Sequence, residues 1–165
     1  MTVVSDSSPL ITLARIRCFD LLPKLYDKIY IPREVYNEVV IDGATLPGAA
    51  EVSRSDWIEV RVVQNIEEVA ATVVKFGLGT GEVSAIFLAK ELAADIVLMD
   101  DWKARRCAGE EGLRVVGCIG ILEDLYAQGH LSDLRDAYQQ LIYQKTRIDL
   151  PTLQRSLAEF NLRPL

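Results

Sequence analysis

Two apolar, β-branched runs in this chain each end in a carboxylate, and nothing else in the sequence constrains the fold as strongly. The first is Thr2-Val3-Val4-Ser5-Asp6 and the second is Ile96-Val97-Leu98-Met99-Asp100-Asp101. Ser7, Ser8 and Pro9 follow the first run, and then an apolar helical pattern begins. The unit reads as strand, acidic tip, helix. A carboxylate at the carboxyl end of a buried strand lies where open α/β sheets hold their ligands. Two such tips suggest carboxylates gathered around a metal ion.

The same alternation runs along the chain. Strands are predicted at Val3–Ser5, Ile29–Ile31, Trp57–Val63, Asp95–Met99 and Arg114–Val116. Helices are predicted from Pro9, over Leu21–Leu25, from Pro32, and over Ile66–Val74, Glu82–Ala93, Trp102–Glu111 and Ile119–Gln128. The Glu82 helix reads as strongly amphipathic. Asp42-Gly43 and Pro47-Gly48 break the pattern, so Ile41–Gly48 reads as a loop or lid. Strand and helix in turn imply an α/β/α sandwich on a mainly parallel sheet of about five strands. Two further helices, His130–Tyr143 and Leu150–Leu162, close the chain. Residues 1–128 are therefore expected to form the α/β unit, and 129–165 a helical extension packed on it.

Four acidic positions fall at mutually consistent ends of these elements. In a parallel sheet Asp6 and Asp100 emerge at the same edge, and neighbouring strands lie about 5 Å apart, so two tip carboxylates can share one ion. Glu38 sits among apolar residues on the helix after the second strand, which turns it toward the protein. Glu82 stands in the first turn of its helix, where the dipole favours a negative charge. Asp100 and Asp101 are adjacent, and strand alternation sends their side chains different ways, so one of the two faces the site. Each acid also has a plainer reading: Asp6, Asp100 or Asp101 as helix caps, Glu82 as a first-turn charge, Glu38 as a solvated residue. Hard oxygen donors with no matching His or Cys set select Mg²⁺ or Mn²⁺ over zinc. Carboxylate-held ions of this kind serve phosphodiester hydrolysis.

Composition bounds the function. The 165 residues carry a formal charge of -6, which argues against a protein that grips nucleic acid with its whole surface. Cys18, Cys107 and Cys118 have no zinc or redox spacing and read as free, mostly buried thiols of a reduced cytoplasm. No basic stretch leads into a long apolar run, so no leader is expected, and no segment approaches the roughly 20 apolar residues of a membrane span.

The segments Ser5-Asp6-Ser7-Ser8-Pro9-Leu10-Ile11, Ile31-Pro32-Arg33-Glu34-Val35-Tyr36-Asn37-Glu38-Val39, Gly79-Thr80-Gly81-Glu82-Val83-Ser84-Ala85-Ile86 and Leu98-Met99-Asp100-Asp101-Trp102-Lys103-Ala104-Arg105 together resemble the PIN-domain family, in particular its VapC-like toxin ribonucleases and the DUF3368-type branch. The resemblance runs from Val3 to about Gly120. It implies a PIN-like three-layer sandwich and a Mg²⁺- or Mn²⁺-dependent endoribonuclease, the toxin half of a toxin–antitoxin pair. It carries catalytic roles onto Asp6, Glu38, Glu82, Asp100 and Asp101, with Asp6, Glu82, Asp100 and Asp101 as metal ligands. Glu82 stands where many members have Asp. Implied partners are an RNA substrate, a small antitoxin protein and a second copy of the chain. A non-catalytic nucleic-acid-binding or protein-interaction module of the same fold is the alternative.

Ser7, Lys103 and Arg105 are weaker candidates for holding a substrate phosphate, against helix capping and ordinary ion pairing as the plainer readings. Trp102 is read as a core or cleft-edge aromatic, with stacking on a base as the sharper reading. Gly77-Leu78-Gly79-Thr80-Gly81 lacks the Walker lysine and reads as a turn. His130, the only histidine, has no triad pattern around it. A phosphatase with an aspartyl nucleophile would need a second Asp where this chain has Ser8.

Overall fold

A computed structural model describes all 165 residues. Five strands form one sheet: β1 (Val3–Ser5), β2 (Ile29–Pro32), β3 (Ile58–Arg61), β4 (Ile96–Leu98) and β5 (Val115–Val116). The order is β3-β2-β1-β4-β5 and every pairing is parallel. The chain winds from β1 outward to β3, returns to the other side of β1 as β4, and ends at β5. The winding direction reverses between β1 and β4, and there a crevice opens beyond the strand ends.

Side-chain alternation divides the core between the two faces of the sheet. Val3, Ile29, Ile31, Ile96 and Leu98 join one buried cluster; Val4, Val97 and Met99 join the other, with Tyr30 packed against it. The first face is covered by α1 (Ser7–Arg15), a 3₁₀ turn at Phe19–Lys24 and α7 (Cys118–Ala127). The second carries α4 (Ile66–Phe76), α5 (Thr80–Glu91) and α6 (Trp102–Glu110). The result is the three-layer α/β/α sandwich expected from the alternation.

The strand expected over Trp57–Val63 is confined to Ile58–Arg61, and the helix expected from His130 begins only at Leu134, where Asp133 caps it. Three further details differ from the sequence reading. A short helix, α3 (Ala49–Arg54), follows Gly48 where none was expected, with Glu51 closing its first turn onto the Gly48 amide at 2.9 Å. Pro32 opens α2 (Arg33–Tyr36), which runs on into a wide π-helical turn, Asn37–Asp42, so the loop begins only at Gly43. And α5 is not amphipathic. Gly81, Val83, Ser84, Ala85, Ile86, Leu88 and Ala89 are all buried, because the helix lies between the sheet and α4 with no broad solvent face.

The last two helices, α8 (Leu134–Tyr143) and α9 (Leu150–Glu159), pack on α7 and put Leu134, Tyr138, Leu141, Leu153 and Leu157 into the first cluster. They enlarge this cluster to 26 buried residues against 13 in the other. Tyr138 is fully buried, and its hydroxyl pairs with Ser156 Oγ at 2.6 Å; Ser156 donates in turn to Glu123 Oε1 at 2.5 Å. The chain ties α7, α8 and α9 together. Tyr138→Phe should lower stability by about 1 kcal/mol, measured by urea unfolding, since Ser156 keeps its second partner. No helix is long and apolar enough to cross a membrane.

Candidate active site

Asp6 occupies the N-cap position of α1 with extended backbone, yet its side chain caps no helix amide. The capping alternative is therefore excluded for this residue. It is 2 % exposed. Burial, with the like charges of Glu82, Glu38 and Asp100 adding to it against the opposing Ser7 amide, pushes its carboxyl up to about 7. A buried acid held that far from its ordinary value, with other carboxylates around it, is a mark of a functional site.

Glu38 reaches the same place from the far side. It lies on the π-helical turn and is exposed, but Ser7 Oγ donates to its Oε2 at 2.9 Å. The same hydroxyl is 3.4 Å from Asp6 Oδ1, so one proton serves the nearer acceptor and the serine spans the two acids. The Glu38 carboxylate rests against Gly81. A β-carbon there would stand 2.5 Å from Oε1, so only glycine leaves room for it. Single widened turns in helices are frequent at functional sites.

Glu82 stands in the first turn of α5. Its Oε2 accepts the Gly79 amide at 2.8 Å, which closes the helix start. Burial first, then Asp101 and Glu38, raises its carboxyl; the Gly79 amide and Lys103 oppose the shift. Gly77, with φ at 62°, ends α4 in the left-handed conformation. The glycine-rich stretch is thus the turn predicted between two helices.

Asp100 and Asp101 part as strand alternation requires. Asp100 turns toward α7: its Oδ1 accepts the Cys118 amide at 2.7 Å and its Oδ2 faces the Cys118 thiol at 3.1 Å. Asp101 caps α6, accepting the Lys103 and Ala104 amides at 3.0 Å each. Asp101 therefore does what the capping alternative expected, while remaining one of the charges acting on Glu82. Asp100 is one of those acting on Asp6. Both carboxylates border the acidic centre, from different directions.

Cys118 is a free buried thiol as expected, but sequence reasoning missed its contact with Asp100. Buried, with its thiol held protonated well above the usual range, it presents an N–H and an S–H to the two oxygens of Asp100. It acts here as a donor to Asp100. No spacing signal could reveal a pair 18 residues apart that only the β4-β5 pairing brings together. Gly117 is equally tight: a β-carbon would meet the Arg105 guanidinium and stand 3.0 Å from Asp100 Oδ1. Arg105 is anchored through Nη1, which donates to the Met99 carbonyl at 3.0 Å. Trp102 is not a core residue, being 71 % exposed. Cys18 is buried as expected, but Cys107 is only partly so.

No three of the chain's carboxylate, imidazole or thiol groups form a ready-made cage for an ion. The chemistry of the set nonetheless fits a hard divalent cation. Its donors are oxygens, its charges repel one another, and the carboxyl of its most buried member is raised by desolvation first and by that repulsion second.

Comparisons with known proteins agree with this architecture. The family model described as DUF3368: PIN domain matches residues 2–162. Among curated proteins nothing matches. Among solved structures, PAE2754 from Pyrobaculum aerophilum superposes with a TM-score of 0.53 at 17 % identity, covering 77 % of this chain and 96 % of that one, a likeness of fold. Acid-tipped strands flanking the reversal point of a parallel sheet, and a family match over nearly the whole length, lead to one assignment: the chain belongs to the PIN-domain family, whose members are generally nucleases.

Proposed function

We propose that the chain is a Mg²⁺- or Mn²⁺-dependent endoribonuclease that hydrolyses RNA phosphodiester bonds. The observation that carries the reading is Asp6, a buried carboxyl pushed up to about 7 beside Glu38, Glu82 and Asp100 at the reversal point of the sheet. Asp6, Glu82, Asp100 and Asp101 are the residues to hold the cation. Bound there, it would supply positive charge against the scissile phosphate and a more acidic water.

The chain's own groups do the rest. Asp100 is oriented by Cys118, and Glu82 by the start of α5. Glu38, with one oxygen held by Ser7, stands at the exposed rim, where it can orient the attacking water and take its proton. Lys103, close enough to Glu82 to act on its charge, and Arg105 face the incoming phosphate. The test is cleavage of unstructured RNA by the purified chain. Fragments should form with Mn²⁺ or Mg²⁺, and EDTA or Asp6→Asn should stop their formation. Equal cleavage by the Asp6→Asn variant would overturn the assignment.

The resemblance extends the proposal to a cytoplasmic toxin that is held by a small antitoxin protein and forms a homodimer. Exposed apolar residues just after β3 and on α4, Val62, Ile66 and Val74, the last 84 % exposed, offer a surface for such a contact. One observation favours a second reading, a non-catalytic RNA-binding module: Glu82 and Asp101 are already engaged in capping, and no ion cage is preformed. Binding without cleavage in Mn²⁺ would select it.

A further inference from the structure

Beside Asp100 a cleft of about 610 Å³ opens between β5, α6, α7 and the α8–α9 connection. Its volume is that of sites that hold molecules of nucleotide size. Trp102 and Arg105 of α6 form one side, Arg114 enters from the start of β5, and Arg147 comes from the connection between α8 and α9. We propose that this cleft is a nucleotide subsite for single-stranded RNA, completed by the C-terminal helices, with Arg114 and Arg147 as phosphate contacts and Trp102 as the platform for a base. The proposal rests on the ribonuclease reading above, and it extends the substrate site to a segment more than 40 residues beyond Asp100.

Charge pairing supports it. Three of the chain's 12 arginines, Arg105, Arg114 and Arg147, line this one cleft. None of the five ion pairs involves Arg105, Arg114 or Arg147. Four carboxylates also line the cleft, but three are engaged within the protein. Asp100 accepts from Cys118, Glu123 accepts from Ser156, and Asp149 caps α9 through Thr152 at 2.9 and 2.7 Å. The Arg114 and Arg147 side chains make no hydrogen bond or ion pair within the protein and can take a phosphate, while Arg105 keeps one nitrogen on the Met99 carbonyl.

The exposed indole points to the same ligand. Trp102 opens α6 directly after the Asp100-Asp101 pair. An aromatic face at the mouth of an arginine-lined cleft suits a base whose phosphate lies deeper, and stacking of that kind is tolerant of sequence. Asp100 lines the cleft and also borders the acidic centre, so a strand seated here continues past the acids without a break. Phosphate contacts of this kind set position along the strand.

The test is binding of a 5′-fluorescein-labelled short oligouridylate, read by anisotropy in EDTA so that no cleavage can occur. Arg147→Glu and Arg114→Glu should each weaken binding by roughly 10-fold and reduce its salt dependence, since each removes a phosphate contact. Arg163→Glu, an exposed change outside the cleft, should leave binding as it is. Unlabelled oligouridylate should also quench the tryptophan fluorescence of the native chain, and Trp102→Phe should remove most of that quenching. Circular dichroism establishes that each variant is folded. If folded Arg147→Glu and Arg114→Glu variants bind as the native chain does, the subsite is overturned while the nuclease reading stands. If they bind weakly and the native chain never cleaves RNA, the subsite stands and the nuclease reading fails.

Discussion

Asp6→Asn should melt at a higher temperature than the native chain at pH 8 in EDTA, while losing any metal-dependent cleavage. The carboxyl of Asp6 is raised to about 7 in the folded chain from 3.8, mainly by burial. A carboxyl whose folded pKa lies above its unfolded value binds its proton more tightly when folded. Folding is therefore penalised as the pH rises from about 4, and the penalty is complete above about 7. Three pKa units correspond to on the order of 4 kcal/mol. The neutral amide of Asn escapes most of it, and each kcal/mol moves the midpoint by about 2–4 °C in a chain of this length. The advantage should shrink steadily on acidification and vanish near pH 4, where both side chains are neutral.

The same comparison separates a ligand from a merely buried acid. A divalent cation that binds only the folded state stabilises it by mass action. Mg²⁺ or Mn²⁺ should therefore raise the melting temperature of the native chain at pH 8 and leave the Asn variant nearly unmoved. A variant no more stable than the native chain at pH 8 would mean that Asp6 is less strained than its surroundings imply.

Gly81→Ala should uncouple activity from stability in the opposite sense, by damaging the site and sparing the fold. The three atoms nearest to a β-carbon at Gly81 are all from the Glu38 carboxylate, at 2.5, 2.7 and 2.8 Å. That group is the mobile end of an exposed side chain, so it can move aside at little cost. Alanine also has the better helix propensity, by about 0.5–1 kcal/mol. The melting temperature should be unchanged or slightly higher. Glu38, however, would leave the position where Ser7 and Gly81 hold it. A displacement of about 1 Å in a reacting or orienting group can reduce a rate roughly 100-fold. Glu38→Gln should match that loss without any steric change, and agreement between the two variants would place the effect in the carboxylate. Full activity in Gly81→Ala would show that the position of Glu38 does not matter to the reaction.

The acids were legible in the sequence because each follows a local rule. Asp6 and Asp100 end β-branched runs, Glu82 opens a helix after glycine, and Glu38 lies on the helix after β2. Their supports were not legible. Cys118 holds Asp100 across the β4-β5 pairing, Ser7 spans Asp6 and Glu38 through a side-chain bond 31 residues long in sequence, and Gly81 matters for the β-carbon it lacks. The missed helix α3 failed for a local reason. Six residues between two breaks carry too little periodicity to stand out, and its first turn is closed by a single Glu51 contact. The buried α5 was misjudged because charged residues at its ends, Glu82, Lys90 and Glu91, suggest a polar face that packing against the sheet and α4 removes.

The sequence by itself determined the alternation of strand and helix, hence the parallel sheet, and it determined which carboxylates stand at the carboxyl ends of the strands. Those features depend on periodicity and on turn chemistry within a few residues. Only the tertiary structure decided that β1 and β4 are neighbours, that Asp101 caps a helix while Asp100 is gripped by Cys118, and that Arg147 reaches the cleft beside Asp100. Strand order and the docking of α8 and α9 depend on apolar burial summed over residues far apart in the chain, and such contacts leave no local pattern to read.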